Sequence, residues 1–299
     1  MSRKIKSSSI YRYNYIIQNI NADEVDLEEY LYQYFEYDET GNKILEVNFT
    51  PDGAVQDKTE KQYDDAGHLT EQKYFDGEDI LAEHLSFERD EKGNILKEYL
   101  HYLDGSRDVT TYEYDEEGKL ILKSLRDDED HLEMKEIYTY QNGKRVLYER
   151  YEEEELVKKE ESGFDEEGNL INSRVTDHLQ EDHFRLEHEY ENGNRIRTFR
   201  YDEHDKLIEK LEFRYEQENV KLVIQQTPAG KVVQQYEHDE KGNILKQEEF
   251  NKDNQLNNSI ERIYDEDGNP LEAKVYINLH GQGIDRNYIL KYKYQFMDT

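Results

Sequence analysis

One short phrase recurs along most of the chain, and this repetition restricts the fold more than any other feature of the sequence. The phrase is an aromatic residue, Asp or Glu, two variable residues, Gly, often Asn, and then Leu or Ile, as in residues 37–44. Its glycines recur about every 25 residues, and a fixed period of this length is the signature of a repeat architecture. The period doubles between Gly193 and Gly242, where we interpret Asn219 as a substitute for glycine, because Asn tolerates positive φ.

The repeat positions are interpreted as structural. A glycine at a fixed place in a short polar loop is typical of hairpin turns. The preceding aromatic recurs at one strand position, so stacked strands would set these rings in a ladder along one face. The predicted positions are Tyr37, Gly41, Tyr63, Gly67, Gly93, Tyr114, Gly118, Tyr140, Gly143, Phe164, Gly168, Tyr190, Gly193, Tyr215, Gly242, Tyr264 and Gly268.

A second turn signal lies near the middle of each period, for example at 51–53 and 202–205. The segments between turns alternate with a period of two, as in 207–215, which indicates β-strands. The sequence therefore predicts an all-β fold, an array of about ten antiparallel hairpin repeats forming one long, open, curved or spiral sheet. The aromatics are expected on its inner face and a lattice of Glu, Lys and Asp on its outer face.

We predict a single domain over residues 1–299. It comprises an N-terminal capping hairpin at 1–36, the repeats at 37–271 and C-terminal capping strands at 272–299.

Composition and charge exclude several classes of protein. The chain has 299 residues, 71 acidic and 39 basic, for a net charge of −32 that would repel nucleic acid. It has no cysteine, which excludes disulfides and thiolate metal sites. No apolar stretch approaches the ~18 residues of a membrane-spanning helix, and no apolar segment typical of a signal peptide follows the basic N-terminus. The sequence thus predicts a cytoplasmic protein without membrane insertion.

A search for chemistry identifies no catalytic, cofactor or metal site, and we predict that the protein is not an enzyme. His183 and His188 lie five residues apart and would point to opposite faces of one strand, so with His178 they do not predict a metal site. The Asp and Asn residues of the turns are expected to bond their own backbone. The run Glu152–Glu155 falls at a midpoint turn and is interpreted as solvated.

The Tyr-Asp-x-x-Gly-Asn-x-Leu/Ile phrase resembles the YD repeat of RHS-type proteins over about residues 37–271. A looser similarity to the hairpin repeats of MORN-like antitoxins is seen at 140–144. RHS arrays enclose toxins in a large shell, so the resemblance implies a packaging or binding surface. This chain is too short to close such a shell, lacks the RHS core-associated end and a toxin domain, and has a longer period. Partner binding is what the resemblance implies here.

The leading hypothesis is a non-enzymatic, bacterial protein-binding scaffold with an immunity, antitoxin or toxin-associated role. Its acidic surface would steer a basic protein partner, a toxin or an assembly component, and Tyr and Phe would supply anchors on a curved face or a sheet edge. The alternatives are a carbohydrate-binding or adhesive surface module, a structural component of a secretion or phage-like assembly, and an acidic mimic of nucleic acid.

Overall fold

The computed structural model describes residues 3–16, 26–278 and 285–298, and these residues form an all-β, antiparallel fold. Parts of the predicted capping segments, at 1–2, 17–25, 279–284 and 299, lie outside the described residues. The described segments include no helix. They therefore contain no helix of the length and apolarity needed to cross a bilayer.

Within the described residues, twenty-two strands follow one another in sequence. The first eleven are β1 (Ile5–Ile16), β2 (Asp26–Tyr37), β3 (Lys43–Phe49), β4 (Val55–Tyr63), β5 (Leu69–Asp76), β6 (Leu81–Arg89), β7 (Ile95–His101), β8 (Arg107–Tyr114), β9 (Leu120–Arg126), β10 (Leu132–Gln141) and β11 (Lys144–Glu152). The others are β12 (Glu155–Phe164), β13 (Leu170–Asp177), β14 (Asp182–Glu191), β15 (Asn194–Asp202), β16 (Leu207–Glu216), β17 (Asn219–Thr227), β18 (Gly230–His238), β19 (Ile244–Phe250), β20 (Leu256–Tyr264), β21 (Pro270–Ile277) and β22 (Arg286–Phe296).

The chain divides into two compact units. Unit 1 comprises Met1–His84, Glu216–Lys221 and Val232–Thr299, and unit 2 comprises Leu85–Tyr215 and Leu222–Lys231. In unit 1 the strands pair in the order β18 to β22, then β1 to β5. In unit 2, β7 to β16 pair in chain order.

The predicted open, curved or spiral sheet is wrong, because the sheet closes on itself. All 22 strands belong to one sheet, and β1 pairs with β22 over a ladder from Ile5↔Phe296 to Asn14↔Tyr288. The protein is a closed 22-stranded β-barrel. Closure removes the unpaired N–H and C=O groups that the two edge strands of an open sheet would expose.

Closure also overturns the prediction of a cytoplasmic protein without membrane insertion. That prediction rested on the lack of an apolar stretch as long as a membrane-spanning helix. A closed antiparallel barrel is the second architecture that spans bilayers, because every backbone polar group is paired between strands. Its strands alternate in polarity and contain no long apolar run, so the criterion applied to the sequence was the wrong one.

Seven of the nine glycine turns share one backbone hydrogen-bonding pattern, whereas the turns at Gly143 and Gly193 are two-residue hairpins. In the turn after β2, the N–H of Asp38 donates to the carbonyl of Asn42 at 2.9 Å, and the carboxylate of Asp38 accepts the N–H groups of Thr40 and Asn42 at 2.9 Å. All nine predicted repeat glycines have positive φ, from 78° to 98°. The role assigned to Asn219 was wrong, because Asn219 begins β17 and the left-handed residue of that turn is Gln217, with φ 57°.

The repeat tyrosines join consecutive repeats through their hydroxyl groups. The Tyr190 hydroxyl donates to the carbonyl of Leu170 at 3.1 Å, and Leu170 lies two residues after the glycine of the preceding glycine turn. The same bond runs from Tyr63 to Lys43, Tyr114 to Ile95, Tyr215 to Arg195, Tyr264 to Ile244 and Tyr294 to Pro270. The tyrosine therefore fixes the register between repeats as well as supplying an apolar ring.

Few side chains are buried. The described apolar residues that are less than 9% exposed are Val47, Tyr99, Val157, Ile224, Ala273 and Val275. The buried polar and charged residues are more numerous: Ser7, Ser8, Thr110, Glu136, Ser173, Asp177, His188 and Thr198. Stability therefore depends on cross-strand contacts between neighbours, as in other repeat proteins.

We expect the replacement Tyr190→Phe to lower the free energy of unfolding by about 1 kcal/mol, because it removes one hydrogen bond and leaves a carbonyl without its partner. Tyr74→Phe, at an exposed side chain of β5, is the control and should change it by less than ~0.5 kcal/mol. Urea unfolding followed by far-UV circular dichroism measures both values. Equal effects of the two variants would contradict a register role for the Tyr190 hydroxyl.

Stability should fall as the pH falls from about 4 to about 2. Hydrogen bonds from Thr40 and Asn42 hold the pKa of Asp38 down, from its ordinary 3.8 to about 2, and the equivalent bonds lower the pKa of Asp90. A carboxylate whose pKa is lower in the folded state stabilises the fold above its unfolded pKa. That stabilisation is lost as the pH falls through the folded value.

The test compares urea midpoints at pH 5 and pH 2.5 for two double variants. Asp38→Asn with Asp90→Asn removes two titrating turn carboxylates and should make the midpoint less dependent on pH. As a control, Asp65→Asn with Asp128→Asn changes two exposed turn residues. The urea midpoint of this variant should depend on pH as strongly as that of the native chain. An equal pH dependence in both variants would show that the turn carboxylates do not cause it.

Candidate functional site

Cross-strand register defines two faces of the sheet in unit 2. The face that carries Tyr114, Tyr140 and Tyr190 is here called the tyrosine face, and the opposite one the second face. The expected separation of aromatics from charges is wrong, because a row of charged residues crosses the tyrosine face. Its directly paired charged members are Lys123, Glu136, Arg150, Lys158, Asp177 and Asp182, and Tyr112 pairs with Lys123 at one end.

Hydrogen bonds and ion pairs neutralise this row. The hydroxyls of Tyr138 and Tyr148 both donate to the buried carboxylate of Glu136 at 2.8 Å, and burial raises the pKa of both tyrosines. Lys158 pairs with the buried Asp177 at 3.0 Å and lowers the pKa of that carboxyl. The carboxylates of Glu136 and Asp177 are therefore occupied by neighbouring side chains and serve the fold.

The histidines do not form a site. His188 lies on the tyrosine face, where its Nδ1 is 2.9 Å from the hydroxyl of Thr198 and burial lowers its pKa. His183 lies on the second face, and its ring is 5.3 Å from that of His178. Across the described ranges, no group of three or more His, Asp or Glu side chains is arranged to hold a metal ion.

Charge is distributed unevenly between the two ends of the strands in unit 2. At the midpoint end, the turn regions 102–106, 127–131, 152–155, 177–182 and 202–206 carry net charges of −1, −4, −4, −3 and −2, with histidine neutral. At the glycine end, 90–94, 115–119, 141–144, 165–169 and 191–194 carry −1, −2, +1, −3 and −1. The midpoint end is called the acidic end below.

The turn between β11 and β12 contradicts local backbone preference. Glu153 and Glu154 both have left-handed φ, of 48° and 69°. The equivalent two-residue turn at the glycine end uses Asn142 and Gly143, with φ of 50° and 78°. Two positive φ angles favour Asn-Gly strongly, and glutamates there cost backbone energy in addition to their mutual repulsion. Local strain of this kind is concentrated at functional sites.

Backbone hydrogen bonds hold the glutamate turn in place. The N–H of Glu153 donates to the carbonyl of Glu133 at 3.2 Å, and Glu133 is the bulged residue at the start of β10. In the next hairpin, the N–H of His178 donates to the carbonyl of Val157 at 2.8 Å. These bonds connect the turns of the acidic end laterally, so the backbone of the turns is held at defined positions.

A cavity of about 770 Å³ opens on the tyrosine face beneath this turn. Its apolar walls are Leu125, Leu132, Met134, Val157 and Leu179. Its acidic lining is Asp127, Glu133, Glu152, Glu153 and Glu155, with His131 and Arg150. We call it the tyrosine-face cavity.

A smaller cavity of about 330 Å³ lies on the second face. It is lined by Leu132, Glu133, Met134, Lys135, Ile137, Tyr151, Glu153 and Glu154. Its placement follows from register, because Lys135 pairs with Tyr151 on one face while Met134 pairs with Glu152 on the other. We call it the second-face cavity.

The charges around the tyrosine-face cavity are only partly compensated. Arg150 donates to Glu152 at 2.6 Å. The carboxylate of Asp127 accepts the backbone N–H groups of His131 and Glu129 at 2.8 and 3.0 Å, which lowers its pKa and keeps it ionised. Glu133, Glu153 and Glu155 are exposed. The cavity therefore combines apolar walls with an anionic opening.

None of the predicted repeat positions lines either cavity. They lie in the turns and strands described above, where they maintain the fold. The sequence placed the run Glu152–Glu155 at a midpoint turn but interpreted it as solvent-exposed charge alone. The signal that could have identified this turn is a two-residue hairpin without Gly or Asn. It can be recognised only after the strands on either side have been aligned with those of the neighbouring repeats.

Comparison with known proteins gives no family for this chain. No family model and no curated protein matches it. Among solved structures, a porin-like protein from Bacteroides uniformis is 10% identical with a TM-score of 0.34, covering 97% of this chain and 96% of that one. A similarity this low shows nothing about what this chain binds.

Replacing Glu153 by Asn and Glu154 by Gly should raise the free energy of unfolding by about 1–2 kcal/mol, because these residues adopt left-handed φ at lower cost. The reverse exchange at the glycine end, Asn142→Glu with Gly143→Glu, should lower it by a similar amount. Urea unfolding measures both. Destabilisation by the first exchange would show that the glutamates stabilise the turn, contrary to the strain described here.

Proposed function

We propose that this protein is a non-enzymatic binding protein that captures a basic polypeptide segment at the acidic end of unit 2. The observation that carries the proposal is the strained glutamate turn above the tyrosine-face cavity. The two-residue turns at 142–143 and 192–193 of the glycine end carry Asn-Gly, which adopts these φ angles at lower cost. The retained glutamates therefore indicate a role that offsets their cost in stability.

Charge favours a cationic partner. The acidic end carries fourteen net negative charges in its five turn regions, against six at the glycine end. A local excess of one sign raises the association rate of an oppositely charged protein and orients its approach. The partner is thus expected to meet the turns first, and not a flat face of the sheet.

Apolar contacts favour a polypeptide over a simple cation. Leu125, Leu132, Met134 and Val157 offer a surface on which an aliphatic or aromatic side chain can be buried. Leu179, at the edge of the same cavity, is 57% exposed. A basic segment with apolar residues among its lysines and arginines would satisfy both the walls and the opening.

An immunity or antitoxin role is the narrower form of this proposal. It is supported by the resemblance of the repeats to YD and MORN-like sequences and by the acidity of the chain. The tyrosine rings give less support to carbohydrate binding, because Tyr138 and Tyr148 pack on each other at 5.3 Å and bind Glu136 through their hydroxyls.

Binding of a synthetic peptide, Gly-Lys-Leu-Arg-Lys-Phe-Lys-Gly with an N-terminal fluorescein, tests the proposal by fluorescence anisotropy. The triple variant Glu133→Gln, Glu153→Gln, Glu155→Gln should bind about tenfold more weakly, since each exposed ion pair contributes about 0.5 kcal/mol. The affinity of the native chain should also fall as the salt concentration rises.

The matched control removes three charges at the glycine end, by Glu116→Gln, Glu166→Gln and Glu167→Gln. These residues are exposed and both triple variants have the same net charge. The control should bind as the native chain does. If both variants weaken binding equally, the peptide responds to the overall charge and the proposed site is wrong.

A further inference from the structure

The two cavities at the acidic end lie on opposite faces of the same strands. Both include Leu132, Glu133, Met134 and Glu153 in their lining. The tyrosine-face cavity continues to Leu125 and Val157, and the second-face cavity to Ile137 and Tyr151. The glutamate turn thus stands between two openings, with Glu153 lining both.

We propose that the bound segment straddles this turn and inserts one apolar side chain into each cavity. This inference rests on the proposed function, because it describes how the basic segment binds. The segment would pass over the exposed side chains of Glu153 and Glu154. Cationic residues between its two anchors would pair with these glutamates.

Geometry sets the spacing of the anchors. Stacked sheets pack about 10 Å apart, so one sheet with the side chains on both faces is about 10 Å thick, and anchors on its two faces are separated by a similar distance. An extended chain advances about 3.4 Å per residue, which gives anchors at positions i and i+3. The partner therefore carries the pattern apolar-basic-basic-apolar.

The shape and the charge of the two cavities both favour a basic segment with two apolar anchors. Apolar residues in the walls, among them Met134, Ile137 and Leu125, provide an apolar surface on either side. The negatively charged glutamate turn between the two cavities would repel an acidic or phosphorylated segment. A segment with one anchor would leave one cavity hydrated, so two-sided insertion also accounts for selectivity among basic sequences.

The test uses four peptides of the series above on the native chain. The parent has Leu and Phe separated by Arg-Lys. In two others Leu or Phe is replaced by Ala, and in the fourth, Gly-Lys-Arg-Leu-Phe-Lys-Lys-Gly, the same residues place the anchors side by side. Each alanine peptide and the adjacent-anchor peptide should bind about tenfold more weakly than the parent, the loss expected for one incompletely buried apolar side chain.

Two cavity variants then show which of the two anchors enters which cavity. Leu125→Ala enlarges the tyrosine-face cavity and Ile137→Ala the second-face cavity. Each should weaken the parent peptide and should have no further effect on the peptide that already lacks the matching anchor. The two variants are expected to couple to different anchors in these double-mutant cycles.

The outcomes separate this inference from the proposed function. Equal affinity for the parent and adjacent-anchor peptides, or coupling of both variants to one anchor, would overturn the straddled arrangement while leaving basic-segment binding intact. If no basic peptide binds, both proposals fail. The peptide series on the native chain decides the spacing even if a cavity variant does not fold.

Discussion

The structure depends on backbone pairing between neighbouring strands, because the chain has little apolar surface with which to build a core. Hydrophobic residues are 34% of the sequence, and no side chain in the described part is fully buried. A sheet of this kind must gain its stability from ladders, turns and neighbouring side chains. The pairing of β1 with β22 completes that system, since it gives both terminal strands a second partner.

Much of the fold could be read from the sequence because its signals are local and repeated. The Asp-x-x-Gly turns and the two-residue alternation define the strands and their order, and antiparallel pairing follows from short hairpins. Closure could not be read in this way. It depends on a ladder between residues at opposite ends of the sequence, where the YD phrase is absent, and nothing local distinguishes an edge strand from a closing one.

The candidate site was missed for a related reason. A run of glutamates looks the same whether it is a solvated loop or a strained turn, and the cavities beside it form only when β9 to β13 are in register. Likewise, the charged row on the tyrosine face cannot be recognised one strand at a time. Lys123 and Glu136 meet only because a bulge at Glu133 shifts the pairing of β10.

The seam between β1 and β22 has a consequence for how the protein is made. During synthesis, every hairpin can form soon after its second strand appears, but β1 waits for a partner that is translated about 280 residues later. Until then the growing array exposes two strand edges, which are templates for pairing with other chains. A nascent polypeptide with this architecture is thus most vulnerable to aggregation just before completion, and chaperone demand should peak at that stage.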